Sequence, residues 1–385
     1  MAAHAHRLDG IGSTIFAEMS ALAARTGAVN LGQGFPDTDG PPAMLEAAVA
    51  ALRGGRNQYP PGHGTPELVD AVVAHQRRHY GLELDRSQVV ATTGATEAIA
   101  GALLGLVDPG DEVVVLEPYY DSYVAMIQIA GGVRRPVTLR APDFRLDLDE
   151  LAAAITERTR LILLNTPHNP TGAVLTRAEL EGVAALAMEH DLVVVADEVY
   201  EHLTFGVEHV PLATLPGMFE RTVTISSAGK SFSVTGWKIG WASGPAELVA
   251  AVEGAKNWLS FASGAPLQPA VALALNEHDE FHERLAADLR AQRDLLCSGL
   301  AELGMTVYRP DGTYFATTDV SAFGYDDGRA FCLALPERAG VVAIPSQVFY
   351  DDTEEGRHLV RWAFCKRPQV IEEGLARLAA VPLEA

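Results

Sequence analysis

The sequence predicts an α/β protein, with a large domain built on a mainly parallel, seven-stranded sheet sandwiched by helices and a smaller α+β domain after it. Two observations carry this expectation. Short apolar runs near residues 89–93, 112–116, 135–139, 161–165, 192–197, 222–225 and 239–242 alternate with amphipathic helical stretches such as 97–106 and 177–189. Near-continuous apolar strands separated by helices belong to a sheet covered on both faces, and such sheets are mainly parallel. Beyond a long helical pattern over 281–303 the texture changes to short strands and turns, at Gly312-Thr313-Tyr314-Phe315, 341–344 and 359–364.

Taken in order, residues 1–26 read as a polar N-terminal arm with a short helical pattern over 14–24 that sets Phe16 and Met19 on one face. Gly32-Gln33-Gly34-Phe35-Pro36-Asp37 is turn-rich, its glycines serving either turn chemistry or a backbone that must come close to a ligand. From Pro41 the pattern is helix, loop, helix, and Tyr59, followed by two prolines, is held extended in the loop. The 281–303 pattern meets no breaker before Gly299 and links the domains, which divide as 40–288 for the large one and 27–39 with 289–385 for the small one.

Composition bounds the function. At 385 residues, 48% hydrophobic and 21% charged, the chain reads as an ordinary soluble globular protein with room for two domains. Its 29 basic against 50 acidic residues leave −21, a field that repels nucleic acid and anionic lipid. An anionic substrate must therefore be captured by local cations. Cys297, Cys332 and Cys365 show no metal-ligand or disulfide-type spacing and fit a reducing cytoplasm. No metal is expected. The N-terminus has no signal-type apolar core, and no run approaches membrane-spanning length.

The chemistry collects at the carboxyl ends of the expected strands, where open α/β sheets place ligands. Lys230 follows the 222–225 run inside Ser226-Ser227-Ala228-Gly229-Lys230-Ser231, and Lys238 lies beyond it. A lysine in a dry pocket near a second cation loses its proton more readily and forms a Schiff base with a carbonyl cofactor, although a lone lysine is more commonly solvated. The lysines, hydroxyls and glycines of this segment also suit a phosphate. Gly94-Ala95-Thr96-Glu97 opens a helix whose N–H groups hold a phosphate or merely cap the helix. Tyr120, in Glu117-Pro118-Tyr119-Tyr120, is either a stacking ring or core.

Asn165-Thr166-Pro167-His168-Asn169-Pro170-Thr171-Gly172 aims amides at a ring oxygen, and nothing beside His168 suggests a metal. Asp197 directly follows an apolar run and is costly to bury without a partner such as a protonated ring nitrogen, while Tyr200 stands three residues on. Arg361, inside Val360-Arg361-Trp362-Ala363-Phe364, is either a carboxylate clamp or half of a structural salt bridge.

Together these parts describe a phosphate, a pyridinium, a phenolic oxygen, an aldehyde and a carboxylate. On these motifs the chain resembles the class I/II aminotransferases of fold type I, and among them the branch of kynurenine/glutamine aminotransferases and actinobacterial N-succinyldiaminopimelate aminotransferases. The resemblance runs from about residue 8 to the C-terminus. It implies pyridoxal 5′-phosphate as cofactor, an amino acid and a 2-oxo acid as substrates, and an obligate homodimer with shared sites.

By the same resemblance, Lys230 would carry the cofactor and shuttle the proton, Asp197 would keep the ring nitrogen protonated, and Asn169 and Tyr200 would contact the ring oxygen. Tyr120 would stack on the ring. Ala95, Thr96, Ser227 and Lys238 would hold the phosphate, with Tyr59 arriving from the second subunit. Arg361 and Asn165 would receive the substrate carboxylate, with Gly34 and Phe16 close by.

Three residues depart from the kynurenine enzymes' pattern: Ala95-Thr96 stand where an aromatic residue is usual, Phe16 replaces a tryptophan, and His168 a frequent asparagine. The flanking Gly324-Tyr325-Asp326-Asp327 and 331–337 segments look more like the succinyldiaminopimelate group. The expected donor is N-succinyl-LL-2,6-diaminopimelate, with broad kynurenine, glutamine or methionine transamination and cysteine-conjugate β-lysis as alternatives.

Overall fold

The computed structural model describes residues 5–12 and 14–385; residues 1–4 and Ser13 of the N-terminal arm lie outside them. The seven apolar runs form one sheet in the order Val89–Thr93, Ile239–Ser243, Thr222–Ser227, Val193–Asp197, Thr159–Asn165, Glu112–Glu117, Val133–Thr138. Every pairing is parallel except the two made by Ile239–Ser243, which runs against both neighbours. This is the mainly parallel α/β fold that the alternation predicts, and its one reversed strand had left no mark in the pattern.

The strand side chains divide between two cores. Val114, Leu116, Ile162, Leu164 and Val194 pack on one face with Leu180, Val183 and Ala187 of the helix Arg177–Glu189. Val113, Val115, Leu161, Leu163 and Val195 pack on the other with Ile99, Ala102 and Leu103 of the helix Gly94–Leu106. Each fully buried valine or leucine contributes about 1.5–3 kcal/mol, and both faces must be covered to collect it. Thr176 and Glu179 form a capping box that starts the first of these helices where the sequence places it.

A second, antiparallel sheet runs Ile344–Pro345, Leu359–Ala363, Phe315–Asp319, Thr306–Tyr308, and Val29–Asn30 pairs with Val341–Val342. The long helix spans Asp279–Glu302 and runs through Gly299 instead of breaking there. The reason is packing. A Cβ at Gly299 would meet the Leu375 side chain at 2.4 Å, so the absent side chain lets the helix Pro368–Ala379 lie against the long helix.

Candidate active site

Strand register builds the floor of the site. Asn165 pairs with Asp197, so the last residues of these two parallel strands come level at the carboxyl edge, and Asp197 pairs in turn with Ile225, two residues before the end of the next strand. The Asn165 amide donates to the Asp197 backbone carbonyl at 2.9 Å and accepts from the Asn169 N–H at 2.7 Å, which fixes the turn after it. Asp197 is buried. Its carboxylate accepts from the Tyr123 hydroxyl at 2.6 Å and from the Val199 N–H at 3.3 Å. Burial pushes the carboxyl up to about 6, against those two bonds and the nearby Lys230 charge.

Lys230 sits in the four-residue helix Ala228–Ser231 directly after Thr222–Ser227. Its ammonium donates to the Tyr314 hydroxyl at 2.6 Å, and that hydroxyl donates to the Gly34 carbonyl at 2.7 Å. Desolvation pulls the amine down to about 8; Cys365 and Asp197 oppose the shift, while Arg361 and Lys238 add to it. A Cβ on Gly34 would lie 2.3 Å from the Phe315 ring, so glycine is required for this loop to reach the floor.

At the other end of the cavity the helix Gly94–Leu106 presents its first N–H groups. Lys238 adopts a left-handed φ of 55°, a strain of about 1–3 kcal/mol, and its ammonium lies 3.4 Å from the Thr96 hydroxyl. A Cβ on Gly240 would meet the Ala95 nitrogen at 2.8 Å, so only glycine lets this strand approach the helix start.

Arg361, in Leu359–Ala363, is buried, yet among the described residues no carboxylate lies within ion-pair distance of it. It donates to the Asn169 side-chain carbonyl at 3.1 Å and to the Gly32 carbonyl at 3.0 Å, and its Nε has no partner. Rings surround it, Phe315 at 4.0 Å and Phe16 at 4.9 Å. Burial draws the guanidinium down to about 10. The structural salt bridge weighed from the sequence is not made, and the cation is left facing the cavity.

These groups line one cavity of about 300 Å³. Phe16, Gly34, Ala95, Thr96, Tyr120, Asn165, Asn169, Asp197, Tyr200, Ser227, Lys230, Lys238 and Arg361 all reach it. Tyr59 does not; it is 84% exposed on the outer surface, its ring edge-on to Phe261. His168 is buried and bonded to the Thr171 hydroxyl at 2.8 Å. Sequence reasoning missed Tyr123, Tyr314, Phe315 and Gln33. Tyr123 stands in the first turn of the helix Asp121–Ala130, three residues after Tyr120 at its N-cap, a spacing that could have flagged it, whereas Tyr314 arrives from a distant turn and carried no such signal.

Comparison with known proteins bears on what such a cavity does. The profile of the family described as aminotransferase class I and II matches residues 26–378. A probable N-succinyldiaminopimelate aminotransferase DapC of Mycobacterium tuberculosis is 53% identical over 97% of this chain and 98% of its own length. The solved N-succinyldiaminopimelate aminotransferase structure from that organism superposes with a TM-score of 0.96 at 54% identity, covering 98% of this chain and 100% of the other. The methionine aminotransferase of Escherichia coli is 38% identical over 97% of each chain.

Proposed function

The chain belongs to the class I and II aminotransferases, and from that premise we propose that it transfers the amino group of N-succinyl-LL-2,6-diaminopimelate to 2-oxoglutarate, using pyridoxal 5′-phosphate. Amino-group transfer from an amino acid to a 2-oxo acid is the family's reaction. The named donor is supported by the 53% identity, over nearly the whole of both chains, to the mycobacterial DapC relative.

The residues fit the cofactor. The start of the helix Gly94–Leu106, with Thr96, Ser227 and Lys238, suits a phosphate. Asp197, buried and raised to about 6, suits a protonated ring nitrogen. Asn169 and Tyr200 suit the ring oxygen, Tyr120 the ring face, and Lys230 the aldehyde. When bound, the cofactor supplies that aldehyde and an electron-withdrawing ring.

The chain's own residues do the rest. Arg361, which lines the cavity and has no carboxylate partner among the described residues, would hold the substrate carboxylate with its guanidinium, and so fix which bond at Cα is presented. The Lys230 amine, half neutral near pH 8, takes the Cα proton at Nζ and returns it. Tyr314 holds Nζ in place through its hydroxyl. Phe16, Phe315 and Tyr120 keep water from the reacting atoms.

The shared homodimeric site is supported by the exposed Tyr59 and its neighbours Trp258, Leu259 and Phe261, an apolar surface that a second subunit would cover. No helix among the described residues is long and apolar enough to cross a membrane. The three cysteines are free and buried, as suits a cytoplasmic enzyme.

A donor-by-acceptor panel on the purified enzyme tests the reading. Glutamate-dependent amination of the corresponding N-succinyl oxo acid is expected to exceed that of methionine or kynurenine oxo acids in kcat/KM. A preference for methionine or kynurenine would reject the donor while keeping the reaction. Borohydride reduction that left no adduct on the peptide holding Lys230 would reject the cofactor assignment.

A further inference from the structure

Outside the cavity, four imidazoles gather between two helices and the loop behind Tyr200. His75 and His79 lie one turn apart on Pro66–Tyr80, and Asp279 and His282 lie three apart on Asp279–Glu302, so each pair shares a helix face. His202 enters from the loop, its ring stacked on His282 at 3.9 Å and 12° and its Nε2 2.8 Å from that of His75.

The cluster is under-bonded. His282 is 5% exposed with neither ring nitrogen partnered, and His75 is fully buried with its Nδ1 unpartnered. A buried polar atom left unpaired is costly and calls for a partner, and the aminotransferase site makes no use of any of these rings.

Two sets of donor atoms lie within 4.8 Å of one another: His75, Glu201 and His202, and His79, Asp279 and His282. The first is closed from solvent, with His75 and Glu201 both buried and the Tyr80 and Ser226 hydroxyls donating to the two Glu201 oxygens. The second opens to solvent through His79 and Asp279, whose side chains are 25% and 41% exposed. Its carboxylate is oriented from behind, with Arg78 donating to Asp279 at 2.7 and 2.9 Å, and His79 Nε2 lies 3.2 Å from an Asp279 oxygen, a contact that an ion bound between the two would replace. A ligating carboxylate held by such an outer partner is the usual arrangement of a metal centre.

We infer that His79 Nε2, the Asp279 carboxylate and a ring nitrogen of His282 form a site for a divalent ion of the zinc type, with water completing the shell. Two imidazoles and one carboxylate suit Zn²⁺ or Co²⁺, and ligands about 2.1 Å from a tetrahedral ion stand roughly 3.4 Å apart, within reach by small side-chain rotations. The ion clips the start of the long helix to the helix Pro66–Tyr80. Phe232, two residues beyond Lys230, packs on the His282 ring at 4.7 Å, so the clip backs the lysine segment.

The test uses tag-free, cofactor-loaded enzyme stripped with a chelator, titrated with Zn²⁺ against a chromophoric chelator and followed by thermal unfolding. About one equivalent is expected to bind at micromolar Zn²⁺ and to raise Tm. Asp279→Asn and His79→Gln should each weaken binding at least tenfold and abolish the Zn²⁺-dependent rise in Tm. Arg78→Ala should cost roughly 10–100-fold, the range for losing an outer partner. A His4→Gln/His6→Gln variant, which removes the N-terminal histidines, should bind unchanged. Absence of binding by the parent enzyme, undiminished binding by Asp279→Asn, or loss of binding in the His4/His6 variant would each overturn the site.

Discussion

The Lys230 ammonium and the Tyr314 hydroxyl stand 2.6 Å apart, although 84 residues separate them in the chain. The same hydroxyl donates to the Gly34 carbonyl at 2.7 Å, so one phenol ties the reactive lysine of the parallel sheet to the glycine loop near the N-terminus. Removing the hydroxyl frees Nζ without emptying the space its ring fills. Tyr314→Phe should keep the fold and lower kcat by about 2–10-fold, the equivalent of one net hydrogen bond of about 0.5–1.5 kcal/mol. Steady-state kinetics check this, and an unchanged kcat would remove Tyr314 from the positioning of Lys230.

Desolvation sets the charge of Lys230. Its amine is drawn from 10.5 to about 8, so the neutral nucleophile is already half populated near pH 8. The rate at which cofactor-free enzyme combines with pyridoxal 5′-phosphate should therefore rise with pH and level off above about 8. A midpoint near 10.5 would mean that the amine is solvated.

Asp197 makes a stability prediction with a definite sign. Its folded carboxyl titrates near 6 against 3.8 for the free group, so between those values the folded chain binds the proton more tightly. The stabilisation is present below about 3.8 and is lost as pH rises through about 6, which leaves a buried charge as a cost above that. Cofactor-free Asp197→Asn should then be more stable than the parent by about 1–3 kcal/mol at pH 7.5, with the gap closing toward pH 4. Adding pyridoxal 5′-phosphate should reverse the ranking, because only the carboxylate answers a ring cation. Thermal unfolding with and without cofactor measures both, and a variant less stable than the parent in the cofactor-free state would contradict the account.

How far the site was legible follows from where its parts lie. Asn165, Asp197 and Lys230 end or follow apolar strands, so the pattern that announces the sheet also announces them. The reversal of Ile239–Ser243 was invisible because an apolar strand buried on both faces reads the same in either direction. Gly299 reads as a breaker in the sequence because the partner that requires it, Leu375, lies in a different helix. Tyr123 gives no signal beyond its spacing for the same kind of reason: a tyrosine on a buried helix face is usually core, and only the tertiary fold brings Asp197 to its hydroxyl.

Arg361 lends itself to a conservative change. The guanidinium bonds Asn169 and Gly32 and keeps an unpartnered Nε within a ring of aromatics. Lysine supplies the charge but neither the fork nor the stacking plane. Arg361→Lys should raise KM for donor and acceptor alike by roughly 10–100-fold, the worth of a charged hydrogen bond at about 1.5–3 kcal/mol. A KM change confined to one substrate would show that the arginine reads a side chain and not the carboxylate common to both.

The outer surface around Tyr59 gives the last test. Trp258 is 91% exposed, Tyr59 84%, Leu259 52% and Phe261 47%, and the Tyr59 and Phe261 rings meet edge to face at 5.9 Å. So large an apolar exposure at the end of the helix Ala246–Leu259 is costly in water and fits the buried centre of a subunit contact. Trp258→Glu should place a charge in that centre, shift sedimentation from dimer to monomer at micromolar protein and weaken pyridoxal 5′-phosphate binding with it. Tyr59→Phe keeps the apolar area and loses only a hydroxyl, so it should remain dimeric while cofactor binding falls by about 2–10-fold. Full cofactor affinity in a monomeric Trp258→Glu would show that each subunit completes its own site, and Tyr59 would then be a surface residue only.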